Sequence, residues 1–144
     1  MYPKYHIIFG AIITLIIYLI IPITLLQATI IFFSSVLIDF DHYLLYILKK
    51  KNLSLKKAIK LFVNDRERFL KLKEKSKVKY HIIIFHGVEF WIILLILAQF
   101  YSVIYYVLIG ILIHMVFDLI EVIYLKMPIY TKISQILVYL RNKK

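Results

Sequence analysis

Residues 6–21 read HIIFGAIITLIIYLII, and this stretch decides the fold class because it is apolar except for His6 and Thr14. Pro22 follows directly and ends the run, since proline cannot continue helical hydrogen bonding. A helix needs about 20 predominantly apolar residues to cross the hydrocarbon core of a bilayer. Hydrophobic residues make up 62% of the chain, more than the roughly 45–50% that is usual in soluble domains. We therefore predict that residues 5–21 form a membrane span.

Three further apolar stretches have the length of a membrane span. They cover residues 23–48, 80–101 and 102–125. In a bilayer only helices and closed barrels satisfy every backbone polar group. The sequence therefore predicts an all-α fold, a single integral membrane domain over residues 1–144 with about four transmembrane helices. A basic amphipathic cytoplasmic helix is predicted in residues 49–79 and an amphipathic tail in residues 126–144.

The 19 Lys and Arg residues follow the same pattern of spans. Thirteen of them lie in residues 49–79, and the two short turns near Pro22 and residues 99–102 have none. Positive residues collect on the cytoplasmic side of membrane proteins, so we predict cytoplasmic termini and a cytoplasmic basic segment in an inner or plasma membrane. A formal net charge of +11 could also serve nucleic acid. In so apolar a chain we interpret it as attraction to anionic lipids and expect no nucleic acid.

The basic segment has the pattern of an amphipathic helix. Ser54 can cap its start, and apolar residues recur near helical spacing after it. These residues are Leu55, Ile59, Phe62, Phe69 and Leu72. We predict that the helix lies on the anionic inner leaflet; a lid or a substrate clamp that uses Arg66 and Arg68 is the alternative. Residues 129–140 repeat apolar side chains at spacings of four, three and four, which indicates a second surface helix.

Ionisable side chains inside the spans are the candidates for function. Each costs roughly 2.5–3.5 kcal/mol on insertion into a bilayer, so such groups are functional suspects by default. The chain has ten in or at its spans: His6, Asp39, Asp41, His42, His81, His86, Glu89, His114, Asp118 and Glu121. None of them is Lys or Arg. All are residue types that ligate divalent metals through imidazole or carboxylate.

These groups share one level of the predicted bundle. They lie at the start of the first and third spans and toward the end of the second and fourth, which places them all in the cytoplasmic half. Spacings of i, i+3 or i, i+4 put two residues on one helix face. The pairs are Asp39 with His42, His86 with Glu89, and His114 with Asp118. This pattern is typical of bundles in which facing helices each supply metal ligands.

Four short elements, in order along the chain, resemble one known family. They are HIIFG at residues 6–10, DFDH at 39–42, HIIIFHGVE at 81–89 and GILIHMVFD at 110–118. Together they resemble the membrane-bound, metal-dependent hydrolases, small inner-membrane proteins with several spans and a likeness to zinc phospholipase C. The chain departs from this family at Ile38 and Ile82, where the family often has proline and arginine. The resemblance covers nearly the whole chain and implies metal binding and hydrolysis.

We predict a metal centre formed by imidazoles and carboxylates on these helix faces. Its ligands are His6, Asp39, His42, His86, His114 and Asp118. Asp41 and Glu89 are the predicted catalytic groups, either as the general base or as additional ligands. Glu121 could be a ligand or could orient an imidazole, whereas His81 is off the face of His86. The chain has no cysteine, so nitrogen and oxygen must hold the ion, and we expect Zn²⁺ first, with Mn²⁺ or Fe²⁺ as alternatives.

The predicted function is metal-dependent hydrolysis of an ester or phosphoester at the cytoplasmic side, with a lipid as candidate substrate. A proton or metal-ion transporter is one alternative, and a non-enzymatic scaffold that recruits a partner through the basic segment is another. Transport would require polar groups in the outer half too, and that half offers only Thr14, Thr24, Gln27 and Gln99. Hydrogen bonds between helices account for many single polar residues, but ten ionisable groups without a cation would be costly.

Overall fold

The computed structural model describes residues 2–73 and 78–143, and within these ranges it contains helices and no strand. The helices are α1 (Pro3–Ile20), α2 (Leu25–Leu37), α3 (Phe40–Lys50), α4 (Leu55–Lys71), α5 (Val88–Ala98), α6 (Val103–Tyr124), α7 (Tyr130–Ile133) and α8 (Gln135–Lys143). The predicted all-α fold class is confirmed.

Among the described residues, three helical stretches are long and apolar enough to cross a membrane. They are Pro3–Ile20, Leu25–Lys50 and Val103–Tyr124. The second combines α2 and α3, which meet at a turn around Ile38 and Asp39. Large aliphatic side chains on the outside remain exposed, such as Leu19 at 73% and Ile20 at 76%. Several of the most deeply buried side chains are instead polar, and this inverted distribution suits a lipid environment better than water.

The third predicted span, residues 80–101, differs from a continuous membrane helix. Its regular part is α5, which has 11 residues and is therefore only about 16 Å long. Residues 80–83 are not helical, and Ile84–His86 form a single 3-10 turn. Side-chain oxygens here accept the hydrogen bonds that backbone carbonyls accept in a helix. The Ile83 amide donates to Gln135 Oε1 at 2.8 Å, and the Phe85 amide donates to Asp41 Oδ2 at 2.9 Å. Irregular backbone at membrane depth is tolerated where protein groups satisfy it in this way.

The basic segment contains the predicted helix, which is α4. Ser54 caps it, since its hydroxyl accepts a hydrogen bond from the Lys57 amide at 3.4 Å. Residues 74–77 of the segment lie outside the described residues. The tail forms two short helices, α7 and α8, where one was predicted, because Ser134 between them has an extended conformation. The tail also packs against the bundle, burying Gln135 and Val138.

Small residues set the close approach of α1, α2 and α6. A Cβ added at Gly110 would lie 2.3 Å from the backbone oxygen of Ile31 and 2.7 Å from the Ser34 Cβ. A Cβ at Gly10 would lie 2.5 Å from the Ser35 hydroxyl oxygen. Small residues at such crossings are common in membrane bundles because they let helix backbones pack closely. One helical turn after Gly110, His114 is thereby brought against the end of α2.

Candidate metal centre

The structure brings the six residues predicted as metal ligands into one region. His6 comes from α1, Asp39 from the turn between α2 and α3, His42 from α3, His86 from the 3-10 turn, and His114 and Asp118 from α6. Three overlapping groups of these side chains and Asp41 could each hold a metal ion. The groups are His6, His114 and Asp118; Asp39, His86 and His114; and Asp41, His42 and His86.

Four donor atoms at the middle of this region have the spacing of metal ligands. We name them the four-atom centre: His86 Nε2, His114 Nε2, Asp39 Oδ1 and Asp118 Oδ2. The two nitrogens are 3.3 Å apart, and the four nitrogen–oxygen distances are 3.5, 3.5, 3.5 and 3.6 Å. Bonds of 2.0–2.1 Å in a tetrahedral zinc site separate the ligand atoms by about 3.3–3.4 Å. These five separations are close to those between zinc ligands, and Asp39, His86 and His114 form a group that could hold an ion together.

Hydrogen bonds on the outer side of each imidazole fix which nitrogen faces the centre. His114 Nδ1 lies 2.8 Å from the backbone oxygen of Ser35, and His86 Nδ1 lies 3.1 Å from Asp41 Oδ2. Both partners are acceptors, so each Nδ1 carries a hydrogen and each ring turns its Nε2 toward the centre. When neither Nε2 carries a hydrogen, as metal binding requires, two lone pairs 3.3 Å apart repel unless a cation lies between them. Metal-binding histidines have this same pattern of an outward N–H bonded to a carboxylate or carbonyl.

Asp41, predicted as a catalytic group, lies behind His86 and not at the four-atom centre. Its Oδ2 accepts from His86 Nδ1 and from the Phe85 amide, and its side chain is buried. It thus holds both the ring of His86 and the 3-10 turn that carries the ring. Through these contacts Asp41 acts as a positioning residue for His86.

His6 and His42 flank the four-atom centre on two sides. The ring of His6 stacks on that of His114 with 3.9 Å between centroids, and its Nε2 lies 3.3 Å from Asp118 Oδ1. Asp118 therefore contacts His6 with one oxygen and the centre with the other. His42 Nε2 lies 3.6 Å from Asp39 Oδ1, and its ring meets that of His86 edge-on.

Lys132 is a member of the site that the sequence did not reveal. Lys132 belongs to α7. Its ammonium donates a hydrogen bond to Asp118 Oδ2 at 2.5 Å, and only 13% of its side chain is exposed. Burial acts to lower the pKa of Lys132, but the adjacent Asp118 carboxylate outweighs this and the pKa is raised. The ammonium is therefore charged at neutral pH. In the sequence, Lys132 is one of several basic residues in a tail predicted to lie on the surface, and its position does not distinguish it from them. Nothing in the sequence therefore indicated its role.

Glu89, the other predicted catalytic group, is not brought to the four-atom centre. Its carboxylate accepts a hydrogen bond from the Ser134 hydroxyl at 2.5 Å and from the amides of Gln135 and Ile136 at 3.2 Å each. These amides belong to the first turn of α8, whose unpaired N–H groups favour a negative charge. The prediction that Glu89 shares a helix face with His86 is wrong, because His86 lies in the 3-10 turn that precedes α5. The structure places Glu89 as a cap for the tail.

Replacement of Glu89 by alanine is expected to release α8 from the bundle. The change leaves the first amides of α8 without their acceptor, and loss of a helix cap typically costs about 0.5–2 kcal/mol. Hydrogen exchange of the detergent-solubilised protein should show faster exchange in residues 135–143. Glu67→Ala, on the exposed side of α4, serves as the matched control. Unchanged exchange in the Glu89 variant would contradict the assignment.

Glu121 and His81 also lie apart from the four-atom centre. Glu121 Oε1 accepts from Arg66 Nε at 2.6 Å, and this hydrogen bond raises the pKa of Arg66. His81 Nδ1 accepts from the Lys49 ammonium at 2.8 Å. Both contacts connect elements at the edge of the site, so these two residues hold its surroundings together and do not face the centre.

A cavity of about 1070 Å³ adjoins the four-atom centre. Asp39, His42, Asp118 and Lys132 form part of its wall, and the inner face of α4 forms another part. A ligand in this cavity would therefore lie directly against the carboxylates of the centre. No family model, curated protein or solved structure matches the chain.

Proposed function

We propose that the protein is a membrane-embedded, metal-dependent hydrolase that cleaves an ester or phosphoester. The observation that carries this proposal is the four-atom centre, in which two oriented imidazoles and two carboxylates from three parts of the chain face one point beside a large cavity. A centre built only for structure would not need an adjoining cavity. The resemblance to metal-dependent hydrolases predicts the same activity from the same residues.

The donor set favours Zn²⁺ over the alternatives. Imidazole nitrogens and carboxylate oxygens suit zinc, which usually takes four ligands, whereas Mn²⁺ and Fe²⁺ usually take more. With His86, His114 and Asp39 as its three protein ligands, a tetrahedral ion would keep its fourth position for water, would lower the pKa of that water toward ~7 and would polarise the oxygen of the bond to be cleaved. His6, beside Asp118, is available to orient that carboxylate or to join the ligands.

The residues around the centre suit the proton and charge movements of hydrolysis. The oxygen of water forms a bond to phosphorus or to the acyl carbon, and the bond from that atom to the alcohol oxygen breaks. His42 lines the cavity beside Asp39, where it accepts the proton of the attacking water and returns it to the departing alcohol. The Lys132 ammonium, beside Asp118, stabilises the negative charge that develops on the substrate oxygen.

The proposed location is the cytoplasmic half of a cell membrane. We take residues 80–98 as a further crossing between Leu25–Lys50 and Val103–Tyr124, so that four spans alternate and the positive-inside rule puts both termini and α4 in the cytoplasm. Lys56, Lys57 and Lys60 lie on the exposed side of α4, where they can contact anionic lipid head groups. This topology puts the cavity between α4 and the bundle at the membrane surface, within reach of a lipid substrate.

Proton transport is the second candidate function. A proton held between His86 Nε2 and His114 Nε2 would relieve the repulsion of their lone pairs as a metal ion would. A path would then have to continue through the outer part of the bundle, where the buried polar side chain of α1 is Thr14. The metal content of the protein and its response to a chelator separate this function from hydrolysis.

Removal of the metal is expected to abolish turnover. Detergent-purified protein loaded with Zn²⁺ should hydrolyse a fluorogenic phosphodiester or carboxyl ester, lose this activity in a chelator, and regain it with Zn²⁺. Lys132→Ala should lower kcat by about 10²–10³, the effect of removing one group that stabilises charge in the transition state, while Lys57→Ala leaves it unchanged. Turnover that persists without metal, or proton flux in liposomes with no cleavage of either ester, would overturn the proposal.

A further inference from the structure

The cavity beside the four-atom centre has two chemically different ends. One end carries Asp39, His42, Asp118 and Lys132. The remainder is lined largely by apolar and aromatic side chains, among them Leu55, Ala58, Ile59, Phe62 and Phe69 of α4. Ala58 is buried, with 2% of its surface exposed. The volume of about 1070 Å³ is at the upper end of the range for ligand pockets. A ligand that fits both ends has a polar head and an apolar body.

Helix α4 forms one wall of this cavity and is held in place by side-chain contacts with the bundle. Side chains of α4 reach α3, the end of α6 and the residues before the 3-10 turn. The contacts are Phe62 with His42, Asp65 with His81, Arg66 with Glu121 and Phe69 with Tyr80. The apolar face of α4 between these contacts points at the cavity. An amphipathic helix that lay only on the leaflet would direct that face to lipid, so here the face is available to the ligand.

The charge around the cavity favours an anionic head group. Among the described residues, six Lys and Arg side chains line the cavity against four carboxylates; Lys132 lies at the end with the four-atom centre, and the other five line the remainder. Two of the carboxylates, Asp39 and Asp118, belong to the four-atom centre and would be neutralised by a bound divalent ion. Lys132 is the cation nearest to the centre. A phosphate at this end would contact both the ion and the ammonium, which are typical partners of phosphate groups.

We propose that the cavity binds an anionic amphiphile of the phospholipid type, with its phosphate at the four-atom centre and Lys132 and its hydrocarbon chain beneath α4. This inference rests on the proposed function in that it identifies the bound lipid as the substrate of the hydrolase. A water-soluble phosphoester would leave the apolar part of the cavity in contact with water, which is unfavourable. A neutral lipid would bring no negative charge to the bound ion and the Lys132 ammonium, which together favour an anionic ligand.

A non-hydrolysable probe separates binding from turnover. Dodecylphosphonate has a carbon–phosphorus bond in place of the ester, while methylphosphonate represents the head alone and dodecanol the chain alone. Native mass spectrometry of the Zn²⁺-loaded protein in neutral detergent should show one dodecylphosphonate bound, at least tenfold more tightly than either fragment. Lys132→Ala should weaken dodecylphosphonate binding by tenfold or more and leave the binding of dodecanol unchanged.

Obstruction of the cavity supplies the matched pair of variants. Ala58→Trp places an indole in the cavity and should lower dodecylphosphonate binding at least tenfold, whereas Lys57→Trp on the exposed side of α4 should not. Ala58→Met is a smaller obstruction with an intermediate loss, and retained Zn²⁺ content in each variant shows that the bundle is folded. Equal binding by the Ala58 and Lys57 variants, or methylphosphonate binding as tight as that of dodecylphosphonate, would overturn the inference. Binding as proposed without any turnover would instead contradict the hydrolase and leave the lipid site standing.

Discussion

Replacement of His86 by alanine is expected to lower the affinity for Zn²⁺ by more than about 100-fold, a larger loss than removal of an outer hydrogen-bond partner causes. His86 supplies one of four donor atoms, and its Nε2 lies within 3.5 Å of each of the other three. The variant also leaves Asp41 buried without its imidazole partner. Competition with a fluorescent zinc chelator measures the affinity of the purified protein.

Two further variants show whether the loss is specific to the four-atom centre. Asp41→Ala keeps the imidazole but removes its orienting carboxylate, so a smaller loss of roughly 10–100-fold is expected. His81→Ala removes an imidazole that faces Lys49 and not the centre, and it should bind Zn²⁺ as the unaltered protein does. If the His86 and His81 variants bind Zn²⁺ equally, the ion is not held where the structure indicates.

Replacement of Gly110 by valine is expected to destabilise the bundle by about 3 kcal/mol, the upper part of the usual range for overpacking. The new side chain would meet the backbone oxygen of Ile31 at the crossing of α2 and α6, and backbone cannot move aside as a flexible side chain can. Separation of these helices would also break the hydrogen bond from His114 to the Ser35 carbonyl. A lower thermal unfolding midpoint and weaker Zn²⁺ binding should therefore appear together.

The neighbouring residue provides the control for the Gly110 variant. Ile109 is exposed on the outside of α6, so Ile109→Val removes one methyl group from an exposed side chain. Surface changes of this kind usually alter stability by less than about 0.5 kcal/mol. An unfolding midpoint for Gly110→Val that equals that of Ile109→Val would show that α2 and α6 do not cross closely at this position.

Hydrophobic patterning was sufficient to predict most of the fold. The apolar runs of α1 and α6 are long enough that a membrane helix is the simplest structure for them. The capping residue Ser54 and the helical spacing after it likewise predicted α4. The interruption before α5 could not be predicted, because it depends on acceptors distant in sequence: Gln135 accepts from the Ile83 amide and Asp41 from the Phe85 amide. Hydrophobicity does not record such contacts between segments.

Residue type and spacing identified the side chains that meet at the metal centre better than they assigned their roles. His114 and Asp118 share a face of α6 as i and i+4, and this local relation survives folding. His86 and Glu89 have a similar spacing, i and i+3, but the prediction that they share a face assumed a continuous helix, which the 3-10 turn interrupts. Lys132 reaches Asp118 only because the chain turns back after α6, so its role required the tertiary structure. The identity of the metal and the hydrolytic activity stay predictions.

X-ray absorption spectroscopy of the detergent-purified protein loaded with Zn²⁺ tests the central claim most directly. We expect one equivalent of bound zinc, with a first shell of nitrogen and oxygen at about 2.0–2.2 Å and the outer scattering of two imidazole rings. In His86→Ala the contribution of one ring should disappear. Substoichiometric zinc, or bound zinc without imidazole scattering, would contradict the assignment of the four-atom centre as a metal site.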